Sequence, residues 1–144
     1  MATYFDSSAV LEVLLGGAQA ERVAACWDQE TDRVTSILLE AEAVTVLRRL
    51  QTAGRRKVSG IAVAARLAAL DEYLRSMTIQ EVDWDVLALL RKTPELGGCR
   101  SLDALHLATA SLFQQHLSEP LNVCSLDADM RRLAEVLAFR VMPA

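Results

Sequence analysis

Short β-prone runs alternate with apolar segments of helical length from one end of the 144-residue chain to the other, and few folds accommodate that pattern. The runs are Thr3–Asp6, Arg33–Ser36, Thr78–Val82, Leu121–Ser125 and Phe139–Met142. The stretches between them are long enough to carry crossover helices, and such connections build a parallel sheet covered on both faces. The expected architecture is one α/β domain over residues 1–144, with three layers, α/β/α, around a central, mostly parallel sheet of about five strands. No repeat, low-complexity tract or interdomain linker interrupts the pattern.

The intervening segments carry helix punctuation. Ser8–Leu15 is stopped by Gly16-Gly17, and Ala18–Gln29 puts Val23, Cys26 and Trp27 on one side. Ser36 is placed to cap a helix over Ile37–Thr52, in which Leu38, Ala41, Val44 and Leu47 form an apolar stripe. Gly54 ends that helix, Arg55-Arg56-Lys57 fill the turn, and Ser59-Gly60 opens an alanine-rich helix to about Arg75. Asp83 can cap a helix through Leu90, Thr93–Arg100 reads as a loop, and helices follow over Ser101–Gln115 and Asp127–Leu137.

Composition excludes several classes. At 52% apolar residues the chain is too hydrophobic for disorder, yet no apolar run is long enough to span a bilayer. A basic segment leading into an apolar one is missing from the N-terminus, so a cytoplasmic protein is expected. Cys26, Cys99 and Cys124 are odd in number, widely spaced and in apolar surroundings, which fits buried free thiols. A net charge of −4 argues against a protein that coats nucleic acid, though not against a local basic patch.

The chemistry lies in where the acids fall. Asp6 closes the first strand, at the position where open α/β sheets bind ligands. By itself it needs no more than a helix-capping role. The placement recurs, however. Glu42 sits in the second turn of the helix after strand two, Asp103 in the first turn after the glycine loop, and Asp127 two residues past strand four. A parallel sheet gathers such positions along one edge. Converging carboxylates repel, and a hard divalent cation with oxygen ligands is the physical remedy. Such a site can activate water for in-line displacement at phosphorus.

The residues that carry these acids also resemble a known family. Tyr4-Phe5-Asp6-Ser7-Ser8-Ala9, the run from Thr35-Ser36 through Glu42 to Arg48-Arg49, Arg100-Ser101-Leu102-Asp103-Ala104-Leu105-His106-Leu107-Ala108, and Ser125-Leu126-Asp127 with Arg131-Arg132-Leu133-Ala134 behind it occur in order along the whole chain. In these the chain resembles PIN-domain ribonucleases, specifically VapC-type toxins of bacterial toxin–antitoxin pairs. The resemblance implies a Mg²⁺- or Mn²⁺-dependent endoribonuclease with Asp6, Glu42, Asp103 and Asp127 as its acidic set. Asp6 and Asp103 correspond to primary metal ligands, while Glu42 and Asp127 hold the metal, its waters or the attacking water. It further implies an RNA substrate, a homodimer and a cognate VapB-type antitoxin. Glu40 competes with Glu42 but points about 200° away on the helix, and Glu42 has the family's spacing from Ser36. Ser125 stands where the family often has threonine, and Asp129 lies two residues beyond Asp127.

Other residues carry competing readings. Ser8 either bonds a site carboxylate or caps a helix. His106 shares a helix face with Asp103, yet a histidine between Leu105 and Leu107 fits a satisfied core position better. His116 fits a helix-dipole role, and Trp27 and Trp84 fit core or dimer interface. Arg48 and Arg49, with Arg55, Arg56 and Lys57, form the densest basic stretch, suited either to phosphate contact or to a solvated helix end. Three rival functions remain: a PIN-like binding module without catalysis, a metal-dependent nuclease acting on DNA, and a phosphoacceptor receiver domain. The receiver needs an acid beside Asp6, which has none, and a lysine at the last strand's end, and no lysine follows Lys92.

Overall fold

The computed structural model describes residues 1–53 and 58–144. The expected Gly54 stop and the Arg55-Arg56-Lys57 turn fall outside the described residues. Five strands form one sheet: β1 (Ala2–Phe5), β2 (Asp32–Ser36), β3 (Thr78–Gln80), β4 (Asn122–Cys124) and β5 (Arg140–Met142). Their order is β3-β2-β1-β4-β5, and every neighbouring pair is parallel. Phe5 pairs with Cys124, and Cys124 with Met142, so the carboxyl ends of β1, β4 and β5 are level.

That strand order decides where the helices go. From β1 the chain steps outward through β2 to β3, then returns past β1 to β4 and β5. Right-handed crossovers force the helices onto opposite faces for the two directions. Accordingly α1 (Ser7–Leu15), α2 (Ala20–Gln29), α3 (Ile37–Thr52) and α4 (Gly60–Arg75) cover one face, burying Val10, Val23, Leu39 and Leu70 against Phe5 and Cys124. On the other face, α5 (Trp84–Lys92), α6 (Ser101–Gln114) and α7 (Ala128–Val136) bury Val86, Leu107 and Met130 against Tyr4, Val34 and Val123. The expected α/β/α sandwich is thus present. No helix among the described residues is long and apolar enough to cross a membrane.

Local signals place the boundaries. Ser36, Ser59, Asp83 and Asp127 each cap the helix that follows through the side chain. Gly16 ends α1 in the left-handed region at φ 66°, which glycine adopts at little cost. Three expectations shift. The buried face of α3 is Leu39, Ala43 and Leu47, and Ala41 of the expected stripe is exposed. Thr93–Arg100 is not an open loop but holds a 3₁₀ helix, Pro94–Gly98, anchored by buried Leu96. Trp84 is 84% exposed, which excludes the core half of its core-or-dimer-interface reading, whereas Trp27 packs at 5.0 Å from Phe5 and 4.7 Å from Tyr73. Of the three thiols, Cys26 and Cys124 are buried and Cys99 is partly exposed.

Candidate functional site

β1 and β4 are neighbours whose connections leave in opposite directions, which makes the gap beyond their carboxyl ends the topological switch point of the sheet. Asp6 occupies it. Its backbone N–H continues the ladder to Cys124 O at 3.2 Å, and its side chain, 4% exposed, turns into the gap. Oδ1 accepts from Ser8 Oγ at 2.7 Å and from the Ala9 N–H at 3.1 Å, and Oδ2 accepts from Ser125 Oγ at 2.6 Å. Asp6 therefore caps α1 and faces the switch point with the same carboxylate, so the two readings of it are compatible. A carboxylate offers about four lone-pair directions. The three hydrogen bonds fix its orientation and leave Oδ2 room for a ligand.

The two serines tie the surrounding turns together. Ser8 also accepts from the Leu126 N–H at 2.9 Å, pinning the β4–α7 turn to the start of α1. Ser125 is fully buried and accepts from the Asp127 N–H at 3.1 Å. Asp127 in turn caps α7 through the Met130 N–H at 2.9 Å. Ser125→Ala should leave Asp6 short of a donor and the Asp127 amide unpaired, costing about 1–3 kcal/mol in thermal melts. Ser125→Thr keeps the hydroxyl and should retain most of the wild-type stability.

Electrostatics joins the carboxylates further. Burial pushes the Asp6 carboxyl above its ordinary range, against the opposing pull of Ser125, His106, Ser8 and the Ala9 amide. The Asp103 carboxyl is raised as well, by burial first and then by the negative charge of Asp127, with Asp6 adding to it and Arg100 and His106 opposing. Glu42 enters from α3, with Oε1 2.5 Å from His106 Nε2, while Glu40 is exposed on the other side of that helix. Asp129 is exposed and lies 3.9 Å from Arg132 in a surface pair. Among the described residues no group of three or more His, Cys, Asp or Glu side chains is close enough as it stands to hold a metal ion.

The structure thus brings Asp6, Asp103, Asp127, Ser8 and, through His106, Glu42 to one edge of the sheet. Arg48 and Arg49 are exposed six and seven residues past Glu42, about 10 Å farther along the axis of α3. Arg48 there bonds Gln51 at 3.2 Å. Arg100 opens the run that carries Asp103 and takes no role of its own from the sequence, yet it stands just before α6 and its charge acts on Asp103. His106 is satisfied and 1% exposed as a core residue should be, yet its partners are Glu42 and, at 2.6 Å from Nδ1, the Tyr4 hydroxyl. Its three-residue spacing from Asp103 was the available signal.

Fold and site together define a parallel α/β/α domain with an acidic switch point. The chain belongs to the PIN domain family, whose model matches residues 3–136. No curated protein matches the chain significantly by sequence. Among solved structures it is similar to FitAcB from Neisseria gonorrhoeae, with TM-score 0.70 and 21% identity over 99% of this chain and 97% of that one. It is also similar to VapC20 from Mycobacterium tuberculosis, a sarcin–ricin loop cleaving toxin, at TM-score 0.62 and 17% identity over 96% of both chains. A toxin–antitoxin complex from Klebsiella pneumoniae gives TM-score 0.62 and 14% identity, covering 87% of this chain and 86% of that chain.

Proposed function

We propose that the chain is a Mg²⁺- or Mn²⁺-dependent endoribonuclease, the toxin of a toxin–antitoxin pair. The carrying observation is the Asp6 carboxylate, buried at the switch point, oriented by three donors and within the electrostatic reach of Asp103, whose own charge is opposed by Asp127. Family membership and the cleaving activity named for VapC20 support phosphodiester hydrolysis in RNA. The toxin–antitoxin complex from Klebsiella pneumoniae supports an antitoxin as partner.

The donor set suits a hard cation, since every candidate ligand is an oxygen. Asp6 Oδ2 and Asp103 would hold it directly. The carboxylates do not close on one point, so Glu42 and Asp127 would reach it through coordinated water, as Mg²⁺ sites commonly allow. When bound, the cation screens the carboxylates from one another, lowers the pKa of coordinated water and offsets charge on the phosphate oxygens. The chain's own residues supply the rest. Ser8 and Ser125 keep Asp6 from rotating, and Glu42 retains Oε2 outside its bond to His106, free to orient a water.

The test is cleavage of cellular RNA by the purified chain in Mn²⁺, repeated with a chelator and after metal is restored. Cleavage should stop and return, and Mn²⁺ should bind the protein in equilibrium dialysis. Chelator-resistant cleavage, or no Mn²⁺ binding, would overturn the metal-site reading. Arg48 and Arg49 extend the proposal to phosphate binding. If both engage the RNA backbone, Arg48→Ala with Arg49→Ala should weaken RNA binding and flatten its salt dependence by about 0.7 log units for each phosphate no longer neutralised. An unchanged slope removes them from the interface.

A further inference from the structure

The Tyr4–His106–Glu42 chain runs behind the acidic site, and each member lies on an element that carries a site carboxylate or ends at one. Tyr4 is two residues before Asp6 on β1, His106 is three residues after Asp103 on α6, and Glu42 is on α3. Tyr4 is fully buried and His106 1% exposed, while the Glu42 side chain is 26% exposed. The three groups are linked at 2.6 Å and 2.5 Å. We propose that His106 is a positioning residue. Its Nε2–H, set by the Tyr4 hydroxyl on Nδ1, holds Glu42 Oε1 and so presents Oε2 to the metal and water of the site. The inference rests on the metal-site reading above for its consequence, but the hydrogen-bond chain itself does not depend on it.

The carboxylate fixes one end of the chain. A carboxylate only accepts, so the 2.5 Å contact to Glu42 requires a hydrogen on His106 Nε2. On the other side of the ring, Nδ1 lies 2.6 Å from the Tyr4 hydroxyl. The sequence Tyr O–H to Nδ1 and Nε2–H to carboxylate pairs every member. It also places a ring bonded on both sides between β1, α6 and α3, so that Glu42 on α3 is tied to the two elements that lead to Asp6 and carry Asp103. Residues that orient ligating carboxylates from behind commonly change metal affinity about 10–100-fold when removed.

The experiment has two parts. In the metal-free wild-type chain, ring-nitrogen NMR of His106 should show a hydrogen on Nε2. A hydrogen on Nδ1 alone overturns the inference whatever the protein does with metal. Mn²⁺ affinity by electron paramagnetic resonance is then compared for wild type, His106→Leu, His106→Gln and Glu42→Ala. His106→Leu should weaken Mn²⁺ binding by about 10-fold or more. His106→Gln, which keeps a donor near the Nε2 position, should recover to within about 3-fold of wild type. In the Glu42→Ala background, His106→Leu should cost nothing further, because the residue acts through Glu42. Full Mn²⁺ affinity in folded His106→Leu, or an equal loss with and without Glu42, overturns the positioning role. Absence of Mn²⁺ binding in wild type overturns the metal-site reading instead, and the tautomer then decides whether the chain of hydrogen bonds stands.

Discussion

Asp6→Asn should abolish RNA cleavage while raising the melting temperature of the metal-free protein. The loss of activity follows from removing the charge at the switch point. Several kcal/mol of transition-state charge stabilisation is at stake in a metal site, which corresponds to a fall on the order of 10³-fold. The gain in stability follows from burial. The Asp6 carboxyl is raised in the folded chain chiefly by desolvation, so the folded state holds its proton to higher pH than the unfolded state does. The stabilisation from this group is complete below the ordinary carboxylate range and is lost as pH climbs through the raised value. At neutral pH the ionised carboxylate therefore weakens the metal-free fold, and Asn keeps the acceptor for Ser8 and Ala9 without the charge. A gain of about 1 kcal/mol would show as roughly 3–5 °C. Calorimetry at pH 4 and pH 7.5, with and without Mn²⁺, checks this. Wild type should recover about 2.7 kcal/mol at a metal concentration 100 times its Kd, and Asp6→Asn should recover far less. A lower melting temperature for Asp6→Asn at pH 7.5 without metal would make the carboxylate a structural cap first.

That contrast rests on a position that local sequence locates well. A carboxylate after a short β run, followed by serines and an apolar helix, has few other places to go, and the same logic finds Asp103 and Asp127 at helix starts. Caps and stops are equally local: Ser36, Asp83 and Gly16 act within a few residues of themselves. The inward face of α3 is less legible because Leu38, Leu39, Ala41, Ala43, Val44, Val46 and Leu47 populate more than one stripe. Which stripe turns inward depends on how the helix sits on the sheet. Thr93–Arg100 looks open because proline and paired glycines signal turns, yet the Leu96 side chain finds the core and draws the segment into a 3₁₀ turn, with Leu96 N–H on Thr93 O at 3.1 Å. Trp84 shows the other limit of local reading, a large apolar side chain in the first turn of α5 whose spacing suits core or dimer interface and which is 84% exposed. The His106–Glu42 contact joins residues 64 apart in sequence, and no local pattern encodes it.

Leu107→Ala should be the most damaging single change to the fold that leaves every carboxylate in place. Leu107 is fully buried on α6, between His106 and Ala108, in the cluster formed by Tyr4, Val123, Met130 and Leu133. Truncation removes apolar packing and leaves a cavity that the helix and sheet can only partly close, at about 2–5 kcal/mol. For a chain of this size that corresponds to a fall of roughly 10 °C in melting temperature. Val136→Ala, at a residue 59% exposed, should change stability by no more than about 0.5 kcal/mol and serves as the control. The informative comparison is Mn²⁺ affinity of Leu107→Ala well below its melting point. Asp103 and His106 lie on the same helix as Leu107, but His106 is held by its bonds to Glu42 and Tyr4 and Asp103 by its place in the first turn of the helix. Affinity should therefore survive in the folded fraction, falling much less than in His106→Leu. Equal losses in the two variants would mean that α6 locates the acids through its packing, with the ring of His106 contributing only as one more buried side chain.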